Sequence, residues 1–297
     1  MTVPEAWQPV DEENEDRVAA HSAAALHGLL DAPGPAPGEG DALPPLWHWL
    51  AFLPAAPQRD LGADGHPRLG GFLPPLSLPR RMFAGGRLDL LASGPCSAAP
   101  AVGALLRRRS RVTSVQEKAG RSGGLVFVEV GHELSDEGRT VISEVQELVY
   151  RGAGPTGGEA QGRPRPVPDA GPDGGPDAEW PWQLDLRTDP TLLFRFSALT
   201  YNAHRIHYDR DYATEVEGYP GLVVQGPLQA IALAELCRRH VPERAVRSFS
   251  FRALRPAFDG APLHVRGRLD GTGDAELVVL DDEGRPTMAA HAELGAV

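Results

Sequence analysis

Apolar and polar side chains alternate along two neighbouring segments in the first half of the chain. Residues 125–130 (LVFVEV) and 141–150 (VISEVQELVY) are rich in β-branched residues and alternate residue by residue, as half-buried strands do. Between them, residues 135–139 (SDEGR) supply residue types that favour a turn. The pattern predicts a β-hairpin.

A second pattern, apolar on nearly every side, covers residues 227–240 (PLQAIALAELCRRH). Pro227 suits the first position of a helix, and the basic residues at the other end suit the negative end of its dipole. Strand-like segments separated by glycine-containing turns follow it, at residues 246–254, 263–269, 276–280 and 287–294. We expect an antiparallel sheet curled around a buried central helix, which is an α+β arrangement.

Residues 151–181 (RGAGPTGGEAQGRPRPVPDAGPDGGPDAEWP) are about half glycine and proline, a composition that neither a helix interior nor a central strand tolerates. This composition predicts a linker between an N-terminal domain, residues 1–150, and a C-terminal domain, residues 182–297. Each part has an ordinary domain size. The two parts look like similar helix-and-sheet units, although no residue-level repeat is visible.

The 297 residues include 29 Lys and Arg against 40 Asp and Glu, which gives a net charge of −11. This balance argues against nucleic-acid binding, which needs clustered basic residues. One compact basic run consists of Arg107, Arg108, Arg109 and Arg111. It fits either a solvated strand start or an anchor for a phosphorylated carrier such as CoA.

The two cysteines, Cys96 and Cys237, lie far apart in the sequence and imply neither a disulfide framework nor a zinc site. Cys237 lies in the apolar helical pattern and suggests a buried thiol. The acidic N-terminus lacks the pattern of a signal peptide, and no apolar run approaches the length of a membrane span. We therefore expect a cytoplasmic protein that does not contact membranes.

Polar and ionisable side chains are concentrated at residues 194–213 (FRFSALTYNAHRIHYDRDYA), ahead of a glycine-rich turn and the buried helix. A metal site would need ligands beyond His204 and His207, and Asp209 and Asp211 do not complete a known spacing. Acid/base chemistry needs one imidazole with a pKa near neutrality and a neighbour that orients the substrate or a water. The pattern therefore predicts a reactive centre that uses no metal.

The segment FSALTYNAHRIHYDRDYATEVEGYPGLVVQGPL resembles the MaoC-like R-specific hydratases and dehydratases. The resemblance is to the branch of 3-hydroxyacyl-thioester dehydratase type 2 and mesaconyl-C4-CoA hydratase, and it extends to PPLWHWLAF, LPRRMFAGGRL, EKAGRSGGLVFVEV and EVQELVYR. It implies a double hotdog, in which two antiparallel sheets each wrap around a long central helix. It also implies one active site, in the second unit, and no cofactor.

In this family an acidic residue stands five positions before a histidine, which is followed by an H-x-D pattern. Here the histidine is His207, the aspartate is Asp209, and the acidic position is occupied by Asn202. An amide cannot take up a proton as a carboxylate can. The resemblance therefore implies that His207 performs most of the acid/base chemistry, while Asn202 holds the water or the leaving hydroxyl.

The resemblance also implies an oxyanion site at the start of the central helix, built from backbone N–H groups around Val224, Gln225 and Gly226. Relatives often carry histidine where this chain has Gln225, which leaves the role of its side chain open. Further candidates for contact with the substrate are His204, Arg205 and Tyr208, and Asp209 is expected to cap the next helical turn. Trp47, Trp49 and residues 80–81 are expected to shape the acyl and pantetheine tunnel.

The reaction implied is the reversible conversion of a 3-hydroxyacyl thioester, on CoA or on an acyl carrier protein, into the trans-2-enoyl thioester and water. A mesaconyl or citramalyl thioester is an alternative substrate, for which Arg195 and Arg205 are candidate partners of the free carboxylate. A thioester-binding protein without catalysis and a thioesterase are alternatives of other classes. Both a monomer and a homodimer fit the sequence.

Overall fold

The computed structural model describes residues 7–91, 99–120, 123–152 and 179–296. Antiparallel strands form one continuous sheet of ten within these ranges, in the order β1-β3-β4-β5-β2-β7-β10-β9-β8-β6. The strands are β1 (Glu12–Asp16), β2 (Arg80–Leu90), β3 (Leu106–Gly120), β4 (Gly123–Asp136), β5 (Arg139–Arg151), β6 (Trp182–Leu186), β7 (Arg244–Ala253), β8 (Leu263–Leu269), β9 (Ala275–Leu280) and β10 (Pro286–Ala296). The α-helices are α1 (Ala20–Leu29), α2 (Pro190–Leu199) and α3 (Gly226–His240).

Both sequence patterns that predicted strands are confirmed. The predicted hairpin is formed by β4 and β5, which pair directly from Leu125 opposite Arg151 to Asp136 opposite Arg139. The four segments after the buried helix are β7 to β10. The strands extend a few residues beyond the predicted bounds because backbone pairing continues past the apolar core.

The two halves of the sheet repeat one topology. In the first half the order is β1-β3-β4-β5-β2, and the second half has the matching order β6-β8-β9-β10-β7. The halves join where β2 pairs with β7, from Gly85 opposite Arg252 to Asp89 opposite Ser248. The predicted similarity of the two units is therefore visible in strand order, although not in residue identity.

Helix α3 lies against the second half of the sheet and is buried along most of its length. All residues from Leu228 to Cys237 are buried. The polar members of this run have partners: Gln229 Oε1 accepts a hydrogen bond from Thr287 at 2.8 Å, and Glu235 pairs with Arg239 at 2.8 Å. The predicted central helix is confirmed, and burial raises the pKa of the Cys237 thiol to about 12.

Within its described residues, the first half has no counterpart of α3, and the two predicted sheets form one continuous sheet. Between Leu30 and Pro79, all of which the structure describes, only short 3-10 turns form, at Trp47–Leu50 and Gln58–Asp60. Prolines recur through this stretch and cannot occupy a helix interior. Trp47, with 1% of its surface exposed, packs into the core there. The missing helix leaves space that loops and a cavity occupy.

Some predictions fall wholly or partly outside the described residues. Cys96 lies outside them, and so does most of the linker predicted at 151–181, from 153 to 178. The division into domains therefore stays a prediction. No helix in the described ranges is long and apolar enough to cross a membrane.

The basic run lies on β3, against the acidic edge strand β1. Arg107 pairs with Glu15 at 2.7 Å, and Arg109 pairs with Asp11 at 2.6 Å. Arg108 points elsewhere: its guanidinium lies 4.5 Å from the centre of the Phe52 ring. Of the two interpretations, the solvated strand describes Arg107 and Arg109, whereas Arg108 belongs to a cavity described below.

The β2–β7 junction requires a glycine, which gives a test of the continuous sheet. A Cβ at Gly85 would lie 2.6 Å from the backbone oxygen of Phe251. We expect Gly85→Ala to lower the free energy of unfolding by about 1–3 kcal/mol, because backbone must shift to accept it. Gly28→Ala in α1 is the control: no atom lies within 4 Å, and alanine favours a helix by about 1 kcal/mol. Equal denaturation curves for the two variants would contradict the junction.

Candidate active site

The polar segment predicted as the reactive centre follows α2, and its backbone is fixed by local hydrogen bonds. Tyr201 adopts a positive φ of 49°, which ends the helix. The Asn202 N–H then donates to the Ser197 oxygen at 2.8 Å, and the Asn202 Oδ1 accepts from the His204 N–H at 3.0 Å. A 3-10 turn, Arg205–His207, completes the segment. These bonds direct the histidines toward the interior.

His207 is buried and is held by one strong hydrogen bond. Its Nδ1 lies 2.7 Å from the carbonyl oxygen of Val223. A carbonyl can only accept, so Nδ1 carries the proton and the neutral ring has a bare Nε2. Burial lowers the pKa of His207 to about 4, against the opposing effect of the Val223 bond. At neutral pH this imidazole is therefore a proton acceptor.

The first turn of α3 supplies the predicted oxyanion residues, with two corrections. The Val224 N–H already donates to the Ala257 oxygen at 2.8 Å, so it cannot bind a substrate oxygen. The Gln225 side chain does not line the cavity: its Nε2 donates to the Leu193 oxygen at 2.9 Å. Within the described chain, no hydrogen bond occupies the backbone N–H of Gln225 or Gly226. Of these two residues only Gly226 lines the cavity, so its N–H is the predicted donor that can reach a substrate.

Arg205 and Tyr208 flank this centre. The Arg205 guanidinium pairs with Asp209 at 2.7 Å and stacks on the Tyr212 ring, outside the cavity wall, so Arg205 is not placed to bind substrate. The Tyr208 hydroxyl donates to the Ala203 oxygen at 3.2 Å, and the ring lines the cavity. Asp209 Oδ1 accepts from the Tyr212 N–H at 3.1 Å, which confirms its predicted capping role.

A loop of the first half, residues 61–68, lies directly against the histidines and was not predicted from the sequence. The His66 Nδ1 lies 2.8 Å from Asp64 Oδ2, and the His66 and His204 ring centres are 4.1 Å apart. The rings of His204 and His207 meet edge to face at 5.3 Å. Burial lowers the pKa of His204, and burial with the charge of Arg81 lowers that of His66 to about 4. The available sequence signal was the D-x-H spacing within a Gly/Pro-rich turn.

Asp64, His66 and His204 are also the residues that could hold a metal ion, since their ligand atoms lie within 4.8 Å of one another. The predicted alternatives, Asp209 and Asp211, are not in this group. A structural metal would need a fourth ligand, and within the described residues the group contains three. His66 Nδ1 and Asp64 Oδ2 lie 2.8 Å apart and hydrogen-bond to each other, which leaves His66 Nε2 and the second Asp64 oxygen as the atoms that could bind an ion.

A second buried polar cluster, also missed, centres on Glu144 of β5. Its carboxylate accepts from the Trp49 Nε1 at 2.8 Å and from the Gln146 amide at 2.8 Å, and it pairs with His48 at 2.9 Å. Burial alone would raise the pKa of Glu144. The charge and hydrogen bond of His48, together with His132 and Gln146, outweigh burial and lower this pKa to about 2. Trp49 thus forms a cavity wall, as expected, and also anchors a carboxylate.

One cavity of about 810 Å³ joins these groups. Its wall includes Asn202, His204 and His207 from the second half and His66, Trp49 and Glu144 from the first. Phe83 lies on this wall between α3 and Trp49, since a Cβ on Gly226 would lie 3.3 Å from the Phe83 ring and that ring meets Trp49 edge to face. Such a cavity can enclose an acyl chain.

The cations on this wall differ from those predicted. Arg195 and Arg205 do not line the cavity, whereas Arg81, Arg108, Arg151 and Arg255 do. Among the described side chains, Arg108 and Arg151 have a buried Nε without a hydrogen-bond partner. Arg81 lies in the segment that was expected to shape the tunnel, and Arg108 lies in the basic run. Arg151, at the end of β5, and Arg255, which follows β7, were not predicted.

Comparison with known sequences matches residues 46–259 to the family described as hydroxyacyl-thioester dehydratase type 2. The mesaconyl-C4-CoA hydratase of Chloroflexus aurantiacus is 43% identical over 295 residues, 98% of this chain and 97% of that protein. The mitochondrial hydroxyacyl-thioester dehydratase type 2 of Schizosaccharomyces pombe is 29% identical over 248 residues, 75% of this chain and 77% of that protein.

Solved structures share the fold at low sequence identity. A MaoC-like dehydratase from Phytophthora capsici matches with a TM-score of 0.66 at 14% identity, covering 100% of this chain and 98% of that chain. A Mycobacterium tuberculosis protein described as having a double hotdog fold matches with a TM-score of 0.53 at 15% identity, covering 97% and 96%. The predicted double hotdog is confirmed, in the form of one continuous sheet.

The burial of His207 gives a pH prediction. A base must be neutral to act, so activity is present above its pKa and is lost as pH falls through it. We expect kcat/KM to stay level from about pH 8 to about pH 5.5, and to fall at lower pH as His207 is protonated near its pKa of about 4. The measurement is initial hydration rates, with circular dichroism showing that the protein stays folded. A midpoint near the ordinary histidine value of about 6.5 would contradict it.

Proposed function

Because the chain belongs to the hydroxyacyl-thioester dehydratase type 2 family, we propose that it performs reversible hydration of an acyl thioester with His207 as general acid/base. The hydrogen bond from His207 Nδ1 to the Val223 oxygen is the observation that carries this assignment. It fixes the tautomer and leaves Nε2 as the acceptor beside an enclosed cavity. The chain is thus a hydro-lyase, and its family relatives are named as hydratases and dehydratases.

In the hydration direction, Nε2 of His207 takes one proton from water while the water oxygen bonds to Cβ of the enoyl group. The electrons of the double bond move toward the thioester carbonyl and give an enolate. The imidazolium then returns its proton to Cα, so that H and OH have been added and His207 is neutral again. Dehydration runs through the same steps in reverse.

The enolate oxygen gains negative charge and needs hydrogen-bond donors aimed at it. The backbone N–H of Gly226 is suited to this, since Gly226 lines the cavity at the positive end of the α3 dipole. Asn202 lines the cavity close to His204 and can donate its amide N–H to the water or the hydroxyl oxygen. The enolate oxygen and the water oxygen then have separate hydrogen-bond donors.

Two observations favour a short enoyl thioester that carries a free carboxylate. The relative with 43% identity is named for mesaconyl-C4-CoA, an acyl group with a carboxylate next to its double bond. Arg81 lines the cavity and lies close enough to His66 and His204 to lower their pKa values. A guanidinium binds a carboxylate through paired hydrogen bonds. We therefore assign Arg81 as the partner of that carboxylate.

A simple 3-hydroxyacyl or enoyl thioester is the second candidate substrate. The aromatic part of the cavity, where Phe83 stacks on Phe251 at 5.5 Å and meets Trp49, suits an apolar acyl chain. The choice of CoA or carrier protein, a role in fatty acid metabolism, the cytoplasmic location and a homodimer stay predictions. A screen of crotonyl-, longer enoyl- and mesaconyl-CoA, followed at the thioester absorbance, separates the two candidates. Binding without turnover of any of them would favour the non-catalytic alternative.

Substitutions at the two predicted catalytic positions test the mechanism. We expect His207→Ala to abolish turnover with the fold intact, because the substitution removes the imidazole that accepts the proton from water. Asn202→Ala should raise the barrier by about 2–4 kcal/mol if its amide orients the water. Rates of enoyl-CoA hydration and thermal unfolding are the measurements. Near-wild-type turnover in His207→Ala would refute the assignment.

A substitution at Arg81 tests the substrate class. We expect Arg81→Met to lower kcat/KM for mesaconyl-CoA by an amount that corresponds to about 2–5 kcal/mol. This is the usual loss when one partner of a buried charge pair is removed. Crotonyl-CoA has no carboxylate to lose, so its kcat/KM should change little. Arg107→Met, on the exposed side of β3, is the matched control. Equal losses on both substrates would show that Arg81 supports the fold and does not select the substrate.

A further inference from the structure

The family's acidic position is occupied by Asn202, which leaves the site short of a proton acceptor. The Asn202 Oδ1 already accepts the His204 N–H at 3.0 Å, so the group that resembles a carboxylate oxygen is engaged with the backbone. Its amide nitrogen can only donate. A water molecule beside His207 has two protons to direct, and His207 receives one of them. Another part of the chain can supply an acceptor for the second proton.

The loop of residues 61–68 is built onto this point. The backbone N–H of Arg205 donates to the backbone carbonyl oxygen of Asp64 at 2.9 Å, which connects the loop to the histidine segment. Gly65 has a φ of +91°, and a Cβ there would collide with the Ala203 oxygen. Within the loop, the Gly62 N–H donates to the His66 oxygen at 2.7 Å and closes the turn. The position of His66 relative to the reactive segment is thus fixed by backbone contacts.

The Asp64 carboxylate sets the protonation of His66. A carboxylate accepts hydrogen bonds, so the 2.8 Å contact places the proton on His66 Nδ1 and leaves Nε2 bare. The ring lines the same cavity as His207, and the His204 ring touches both. The side chains are 14% and 22% exposed, so the carboxylate is only partly screened by solvent.

We propose that His66, oriented by Asp64, is a second catalytic residue, which supplies a hydrogen-bond acceptor for the attacking water in place of the family's acidic residue. This inference rests on the proposed hydration reaction. His66 lies in the first half of the chain, 138 positions before His204 in the sequence. In this proposal, the Asp64–His66 pair on the facing loop replaces the carboxylate that the family carries at the position of Asn202.

The step balances with both imidazoles neutral at the start. One proton of the water faces His207 Nε2 and is transferred as the oxygen bonds to Cβ. The other proton donates a hydrogen bond to His66 Nε2 and stays on the oxygen as the product hydroxyl. Asp64 makes that nitrogen a better hydrogen-bond acceptor, because the contact of its carboxylate with the Nδ1–H polarises the ring toward Nε2. His207 then returns its proton to Cα, and His66 is unchanged.

The test is a double-mutant cycle on the pair, measured as kcat and KM for the best thioester in the screen. We expect His66→Gln to lower kcat by about 100-fold and Asp64→Asn by about 10-fold, with KM nearly unchanged, as for loss of a hydrogen bond that acts in the transition state. Because Asp64 acts through His66, the double variant should match His66→Gln within about threefold. A kcat within threefold of wild type in His66→Gln, or losses that multiply fully, would overturn the proposal.

The chain offers a matched control on its surface. His264 Nδ1 lies 2.9 Å from Asp185 Oδ1, with the histidine side chain 31% exposed, and neither residue lines the cavity. His264→Gln and Asp185→Asn should leave kcat unchanged. Added imidazole should restore part of the kcat of His66→Gly, as a small base can enter the vacated space. Failure of rescue in a variant that unfolds at the wild-type temperature would count against a catalytic His66.

Two further results separate the proposal from neighbouring explanations. Loss of wild-type activity on dialysis against a chelator, with recovery on added zinc, would overturn it in favour of a metal at Asp64, His66 and His204. If His207→Ala is inactive and His66→Gln is as active as the wild type, this proposal is wrong but the proposed function stands. A wild-type protein that hydrates none of the thioesters defeats both.

Discussion

The pairing of β2 with β7 is the constraint on which the rest of the structure depends. It joins the halves through five residue pairs, from Gly85 opposite Arg252 to Asp89 opposite Ser248. The close approach is possible because Gly85 and Gly86 present no side chain to the neighbouring strands. With this junction fixed, the loops of the first half and the histidine segment of the second open onto one cavity. Neither half alone supplies the whole wall.

Burial then determines the charge state of that wall. Removing an imidazolium from water is costly, so His66, His132 and His207 have pKa values lowered to about 4 and are neutral at physiological pH. The one deeply buried carboxylate among these groups, Glu144, stays ionised because His48, Trp49 and Gln146 surround it with donors. A cavity of neutral rings can pass a proton between water and a carbon atom without creating a lasting charge.

The sequence predicted the features that depend on local pattern. The β4–β5 hairpin, the strands β7 to β10 and the buried helix α3 follow from periodicity over a few residues, and each was placed within a few positions. The absence of a central helix in the first half was missed, although the prolines of residues 31–79 carried the signal. The resemblance led to the double hotdog, whereas the fusion of its sheets was visible only in the β2–β7 register.

The site was predictable only where its residues are adjacent in sequence. His207 and Asn202 were predicted together because they lie within one motif, and both line the cavity. The Asp64–His66 pair was missed because its partner His204 is distant along the chain, and the Glu144 cluster was missed because His48 lies 96 positions away. Likewise, the Val224 N–H looked available until Ala257, from another loop, was seen to accept it.

The central claim is that this cavity adds water across a carbon–carbon double bond and leaves the thioester intact. Mass spectrometry of an enoyl-CoA, with mesaconyl-CoA included, after incubation in ¹⁸O-labelled water tests it most directly. The account predicts a 3-hydroxyacyl-CoA carrying one ¹⁸O on the new hydroxyl, with no free thiol released. Label in a free carboxylic acid together with released CoA thiol would identify a thioesterase and contradict the account.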